Sequence, residues 1–326
     1  LLFLMKGNFW RELKKPIFGL APMDGVTDEP LRQIQCLIAK PDVVYTEFIS
    51  AEGFAGKPEK FSRKIYFEKN EKPVVVQIFG YTPECFTKTI AELSRKGFSG
   101  IDINMGCPAK TVLQRGGGAA LIGNYSLAKK IISACLEAIK KSGTEIPLSV
   151  KTRITGEKNF SRQWFDFLSG FNLAEITVHG RRLKQGNSGP VDWEEIAAAA
   201  EKLKAKEVVC LGNGGLKSLK EAREKCKKYR LDGVLLGQAA LGNPWIFDND
   251  YLPSTKEVLA TILSHGELAW RFYQGKGYLS VLKHFGWYPR KFRHYKELKK
   301  SLLKTRNLSE LEEVISVFKN KEGFND

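Results

Sequence analysis

Ile17-Phe18-Gly19-Leu20-Ala21-Pro22-Met23-Asp24 is the stretch that decides the fold: a short apolar run closed by proline and a polar turn. Seven more runs of this kind follow, beginning near Val43 (VVYTEF), Val74 (VVVQIF), Gly100 (GIDINM), Pro147 (PLSVKTR), Glu175 (EITVHG), Glu207 (EVVCLGN) and Asp232 (DGVLLG). The starts are 26, 31, 26, 47, 28, 32 and 25 residues apart. Each run reads as continuously apolar, as strands covered on both faces do. Helical patterns separate most of them. Pro83–Lys96 opens on proline and stops before Gly97, Ser126–Lys141 stops before Gly143, Asp192 and Glu195 form a capping pattern, and Ser218–Tyr229 is amphipathic. Eight strand–helix units predict a (β/α)8 TIM barrel, an α/β fold. The rival is a doubly wound open sheet, which needs Gly-x-Gly-x-x-Gly after its first strand. Ala21-Pro22-Met23-Asp24 stands there instead, so the barrel is preferred.

The chain has 326 residues, 43% of them hydrophobic and 27% charged, a composition that excludes disorder, collagen and a coiled coil. No apolar run approaches the ~18 residues of a membrane span. Leu1 to Met5 is too short for a signal-peptide core; Met5 reads as the initiator, and the four residues before it are given no role. Six cysteines form no Cys-x-x-Cys pair, which points to a reduced, cytoplasmic chain. No metal site is expected.

After Pro253 the strands stop. Glu257–Tyr273 and later segments to Lys319 are helical in pattern, so residues 1–250 are read as a barrel domain and 251–326 as a small all-helical domain. The net charge is +16, and residues 276–306 concentrate it, with ten Lys/Arg against one acid, Glu297. Six aromatics interleave this stripe: Tyr278, Phe285, Trp287, Tyr288, Phe292 and Tyr295. Cations among aromatics suit RNA. A solvated helix surface fits the charge equally well, and at least half of the aromatics, Phe285 and Trp287 first, are expected in a bundle core.

In a TIM barrel, function sits at the C-terminal ends of the strands. Those positions carry Pro22-Met23-Asp24, Glu47, Gln77, Asn104, Cys107, Lys151, Arg153, His179, Arg181, Asn213 and Gly237-Gln238. Polar groups at successive strand tips need partners, and a ligand provides them. The loops after the last two strands, Asn213-Gly214-Gly215 and Gly237 through Gly242, let backbone N–H groups approach a phosphate, although turn glycines alone look the same. Cys107, in Asn-Met-Gly-Cys-Pro, has no histidine close in sequence to make it a thiolate. A thiol near its ordinary pKa of ~8.5 is protonated at neutral pH and can donate a proton. A buried structural cysteine is the competing reading.

Together these segments resemble the tRNA-dihydrouridine synthases, nearest the bacterial B-type enzymes. The matching residues are Ala21 to Asp28 (APMDGVTD), Val76-Gln77-Ile78, Asp102 to Pro108 (DINMGCP), Val150-Lys151, Val178 to Arg181 (VHGR), Gly237 to Leu241, Asn243 to Phe247 (NPWIF) and, in the tail, Lys276-Gly277-Tyr278 and Lys283 to Tyr288 (KHFGWY). The resemblance implies an FMN barrel followed by a helical tRNA-binding domain. It implies that NADPH reduces FMN, that a hydride passes to C6 of a D-loop uridine, and that Cys107 protonates C5. It places Pro22, Met23, Asp24, Gln77, Lys151 and His179 on the flavin, and Asn213, Gly214, Gly215, Gly237 and Gln238 on its phosphate. Asn104, Arg153 and Arg181 would meet the uracil. Lys110, Arg115, Arg290, Lys291 and Arg293 would meet tRNA, with Gly116-Gly117-Gly118 letting the Lys110–Arg115 loop move. A monomer with no obligate protein partner is expected.

Two departures stand out. Gly215 replaces the family's usual aspartate and Gln238 its usual arginine; a neutral in place of a charged hydrogen bond at Gln238 is a difference of roughly 1 kcal/mol and predicts weaker FMN retention rather than loss of function. They leave room for a tRNA-binding or chaperone-like protein with a degraded flavin site. A dihydroorotate-dehydrogenase-like enzyme is a third reading, disfavoured because a small substrate has no use for the basic tail.

Overall fold

The computed structural model describes residues 8–186, 188–249, 251–289 and 294–323. Eight strands form the centre: β1 (Ile17–Leu20), β2 (Val43–Tyr45), β3 (Val74–Phe79), β4 (Gly100–Met105), β5 (Leu148–Arg153), β6 (Glu175–His179), β7 (Val209–Asn213) and β8 (Gly233–Leu236). All pair in parallel. β8 pairs with β1 (Gly233 opposite Ile17) and β2 with β3 (Val44 opposite Val74), so the sheet closes. The two-residue strand Ile49–Ser50 extends it along β3. This is the expected (β/α)8 barrel.

Side chains alternate along each strand. Val76, Ile78, Ile101, Ile103, Val150, Ile176 and Val178 pack outward with the helices in the largest apolar cluster. The alternate positions face inward. Part of this interior is apolar: Ile17, Tyr45, Val75, Leu211 and Leu235 join Trp10, which the helix Phe9–Glu12 delivers to them. The rest is polar: Gln77, Asp102, Ser149, Glu175 and Thr177 are all wholly buried. The barrel interior therefore combines an apolar cluster with a buried hydrogen-bonding one.

The helices run close to the sequence pattern. Pro83–Leu93, Tyr125–Ser142, Trp193–Lys204 and Leu219–Tyr229 flank the barrel. Asp192 Oδ1 accepts from the Glu195 N–H, and Ser218 Oγ from the Glu221 N–H, each satisfying a free donor of the first turn. The first tail helix spans Thr255–Tyr273 rather than beginning at Glu257, because Ser254 and Glu257 cap it reciprocally. Helices Leu282–Phe285, Tyr295–Leu302 and Leu308–Lys321 follow.

A second apolar cluster holds the tail together around Leu259, Ile262, Leu298, Leu311 and Ile315. Tyr278, Phe285 and Tyr288 are buried in it. Each contributes about 2 kcal/mol by burial. They are core residues, not an RNA stacking platform. Trp287 is partly buried and Tyr295 exposed, while Phe292 lies outside the described residues.

Candidate functional site

A cavity of about 1060 Å³ opens at the C-terminal ends of the strands. Register explains who lines it: Arg153 stands opposite His179, His179 opposite Asn213, and Asn104 opposite Lys151, so their side chains emerge at neighbouring heights. Pro22, Met23, Asp24, Gln77, Asn104, Cys107, Lys151, Arg153, His179, Arg181, Asn213, Gly214, Gly215, Gly237 and Gln238 all border the cavity. Lys110 and Arg115 do not. They are exposed around the short helix Lys110–Leu113, and Arg115 borders a separate hollow of about 180 Å³ with Tyr81 and Phe79. Arg290, Lys291 and Arg293 lie outside the described residues.

A directional hydrogen-bond chain builds the wall beside Cys107. The N–H groups of Gly106 and Cys107 donate to Asn104 Oδ1 at 3.0 and 2.9 Å. Asn104 Nδ2 donates to Gln77 Oε1 at 2.9 Å, and Gln77 Nε2 to Asp102 Oδ2 at 2.7 Å. Ser149 Oγ completes the chain by donating to Asp102 Oδ1 at 2.7 Å. Asp102 can only accept and the two backbone groups can only donate, so both amides have one allowed orientation. Arg153 Nε donates to Gly106 O at 2.5 Å and Nη1 to Gly186 O at 2.7 Å, which holds the Cys107 loop from its other side.

Two of the three loop glycines that follow are packed, while a Cβ on Gly116 would meet nothing within 4 Å. Gly118 has φ +57°, and a Cβ there would stand 2.9 Å from Cys107 O. A Cβ on Gly117 would meet Gly80 O at 2.9 Å. Gly118 therefore allows close approach to the Cys107 turn, and Gly117 to the backbone at Gly80.

Three cations converge on the mouth. Lys151 Nζ donates to Asn213 Oδ1 at 3.0 Å, and Asn213 Nδ2 is itself anchored on Leu235 O at 2.9 Å. Burial, reinforced by the neighbouring Arg153 charge, pulls Lys151 down to about 8. Burial takes Arg153 down to about 10. His179 is pushed to about 2 by burial and then by Lys151, Arg153 and Arg181, so its ring is neutral. Below them, burial raises the Asp102 and Glu175 carboxyls, two acids that interact with each other. Burial also raises the Cys107 thiol, which is therefore protonated at neutral pH and poorly suited to act as a thiolate nucleophile. Cationic side chains shifted against their preference mark a cavity arranged to receive negative charge.

Residues beyond the last strand also reach the cavity: Trp245 at the end of the barrel domain, and Tyr251, Leu252, Val258 and Tyr288 of the helical region line it. Strand-end reasoning had no access to them, since they come from a segment whose position depends on tertiary packing. Asp102 was in view within DINMGCP; its alternation with Asn104 on an apolar strand was the usable signal.

Barrel, cationic mouth and protonated thiol together make this cavity the candidate active site. The sequence matches the dihydrouridine synthase family (Dus) over residues 19–322. A probable tRNA-dihydrouridine synthase of Staphylococcus aureus strain COL is 33% identical over 323 residues, covering 96% of each chain. Probable tRNA-dihydrouridine synthase 2 of Bacillus subtilis strain 168 is 31% identical over 326 residues, covering 97% of this chain and 98% of that one. A Staphylococcus epidermidis relative of the same name (strain RP62A) is 32% identical over 325 residues, with 96% and 97% covered. This chain belongs to the dihydrouridine synthase family, a family of oxidoreductases. Among the described residues no helix is long and apolar enough to cross a membrane.

Proposed function

We propose that the chain reduces the C5–C6 double bond of a D-loop uridine in tRNA, with FMN bound in the barrel mouth, NADPH as reductant and Cys107 as proton donor. The observation that carries this reading is a protonated thiol sharing a cavity with Lys151, Arg153 and Arg181. FMN held there would supply hydride chemistry at C6, with NADPH as the source of electrons, and Cys107 Sγ would give its proton to C5, so that the base gains two hydrogens.

The residues present fit such a group. Gly214 has φ +126°, and a Cβ there would lie 2.8 Å from His179 Cδ2, so only glycine lets the backbone run this close to the ring. Lys151 supplies a cation for an electron-rich ring edge, and neutral His179 and Gln77 supply hydrogen bonds. Pro22, Met23 and Asp24 border the same space, with Asn213 to Gly215, Gly237 and Gln238 assigned to the phosphate end. Asn104, Arg153 and Arg181 are assigned to the uracil. The volume exceeds the usual ~300–1,000 Å³ of a small-molecule pocket, which suits two stacked rings. Extruding a uridine costs a few kcal/mol, and stacking with base contacts offsets it.

Residues 1–250 form the catalytic unit in this reading, and 251–326, with Arg290, Lys291 and Arg293, hold tRNA. Lys110 and Arg115 are exposed beside the Cys107 loop and meet RNA outside the cavity. The chain acts as a cytoplasmic monomer. The test is Cys107→Ala with FMN, NADPH and unmodified tRNA. NADPH oxidation should persist while dihydrouridine formation, read by a two-hydrogen mass gain, drops ~10²–10⁴-fold. A variant that modifies tRNA at the wild-type rate removes Cys107 as the proton donor.

A further inference from the structure

Outside the lining of the cavity, where the barrel meets the helical region, three buried side chains converge. Asp28 caps the helix Glu29–Ile38, His265 lies on Thr255–Tyr273, and His284 lies on Leu282–Phe285. One ligand-capable atom from each falls within 4.8 Å of the other two. None is more than 4% exposed. His265 Nε2 and both ring nitrogens of His284 have no hydrogen-bond partner. Leaving a buried polar atom unpaired costs roughly 1–3 kcal/mol, so three in one place need an explanation.

The surrounding groups orient the cluster. Tyr288 Oη sits 2.9 Å from His265 Nδ1, which leaves Nε2 as the free atom. Tyr273 Oη donates to Asp28 Oδ2 at 3.0 Å, and the Leu31 N–H donates to Asp28 Oδ1 at 3.1 Å. Ligating histidines and carboxylates are held by such outer hydrogen bonds. His284 Nε2 stands 3.5 Å from Asp28 Oδ2. That is long for an N–H···O bond. It matches the ~3.4 Å between neighbouring ligands on a tetrahedral ion with bonds of ~2.0–2.1 Å.

We propose that Asp28, His265 and His284 form a buried site for a first-row divalent metal, zinc by its two-imidazole, one-carboxylate ligand set, which fastens the helical region to the barrel. A carboxylate and two imidazoles suit zinc better than magnesium or calcium, which prefer oxygen. A water completes the coordination shell. The role is structural, because the ligands come from both sides of the contact and the cluster is sealed from solvent.

The full chain, purified without an affinity tag and dialysed against metal-free buffer, should carry about one zinc per chain by elemental analysis, as structural sites do. His265→Gln and His284→Gln should each lose it. A strong chelator should lower the melting temperature of the wild type, and added zinc should restore it by linkage. Cobalt substitution should give the visible bands of a tetrahedral site. If the variants do not fold, the chelator and cobalt arms on the wild type still decide. Metal-free wild-type protein whose melting temperature ignores zinc and chelator overturns the proposal, leaving a water-filled histidine cluster. Zinc retained by His284→Gln overturns it as well.

Discussion

Asn104→Ala tests whether the chain of hydrogen bonds beside Cys107 positions the thiol. The substitution removes three bonds at once: two from the Gly106 and Cys107 N–H groups and one to Gln77 Oε1. Among the described residues neither backbone donor has another partner in the fold. Each orphaned donor costs roughly 1–3 kcal/mol. Water from the adjoining cavity recovers part of that, so a net loss of about 2–4 kcal/mol is expected. Urea unfolding measures it. Function should suffer separately, because a ~1 Å displacement of a reacting group costs up to ~10²-fold. Single-turnover dihydrouridine formation should fall by that order while NADPH oxidation stays near wild type. Asn104→Asp sharpens the test. It keeps the acceptor for the two N–H groups but sets an oxygen against Gln77 Oε1, and Gln77 cannot turn without setting its own oxygen against Asp102. The aspartate variant should therefore also lose stability. Unchanged stability and rate in both variants would refute the reasoning.

Lys151, held near 8, should make binding of an anionic cofactor weaken as pH rises through about 8, and Lys151→Met should remove that limb from an FMN titration. An unfolded lysine titrates near ~10.4, so between about pH 8 and 10 the unfolded chain holds the extra proton and this group's contribution to stability rises with pH. Gln238→Arg should tighten FMN by several-fold, measured by flavin fluorescence; an unchanged dissociation constant puts residue 238 away from the phosphate. Gly215→Asp should not add to it, since Gly215 has φ +67° and its Cβ would press Val191 Cγ2 at 3.0 Å. Replacing Arg290, Lys291 and Arg293 together by alanine should lower tRNA affinity and flatten its salt dependence, with identical slopes across a salt series counting against these contacts.

The sequence by itself determined the barrel. Eight apolar runs at near-constant spacing need cover on both faces, and a first strand closed by Ala-Pro-Met-Asp cannot start a dinucleotide-binding sheet. It also determined which residues stand at the strand tips, because period-two alternation and the rule of C-terminal barrel ends are local. Tertiary structure alone decided the rest. Which of the stripe's aromatics join the bundle core is one such outcome: Phe285 does, as expected, together with Tyr278 and Tyr288, while Trp287 stays only partly buried, because each side chain's burial depends on how the helices pack. The meeting of Gln77 with Asp102 and Asn104 follows from strand register, which no single strand encodes. Asp28, His265 and His284 are up to 256 residues apart in sequence, and only the docking of the tail on the barrel brings them within reach of one ion.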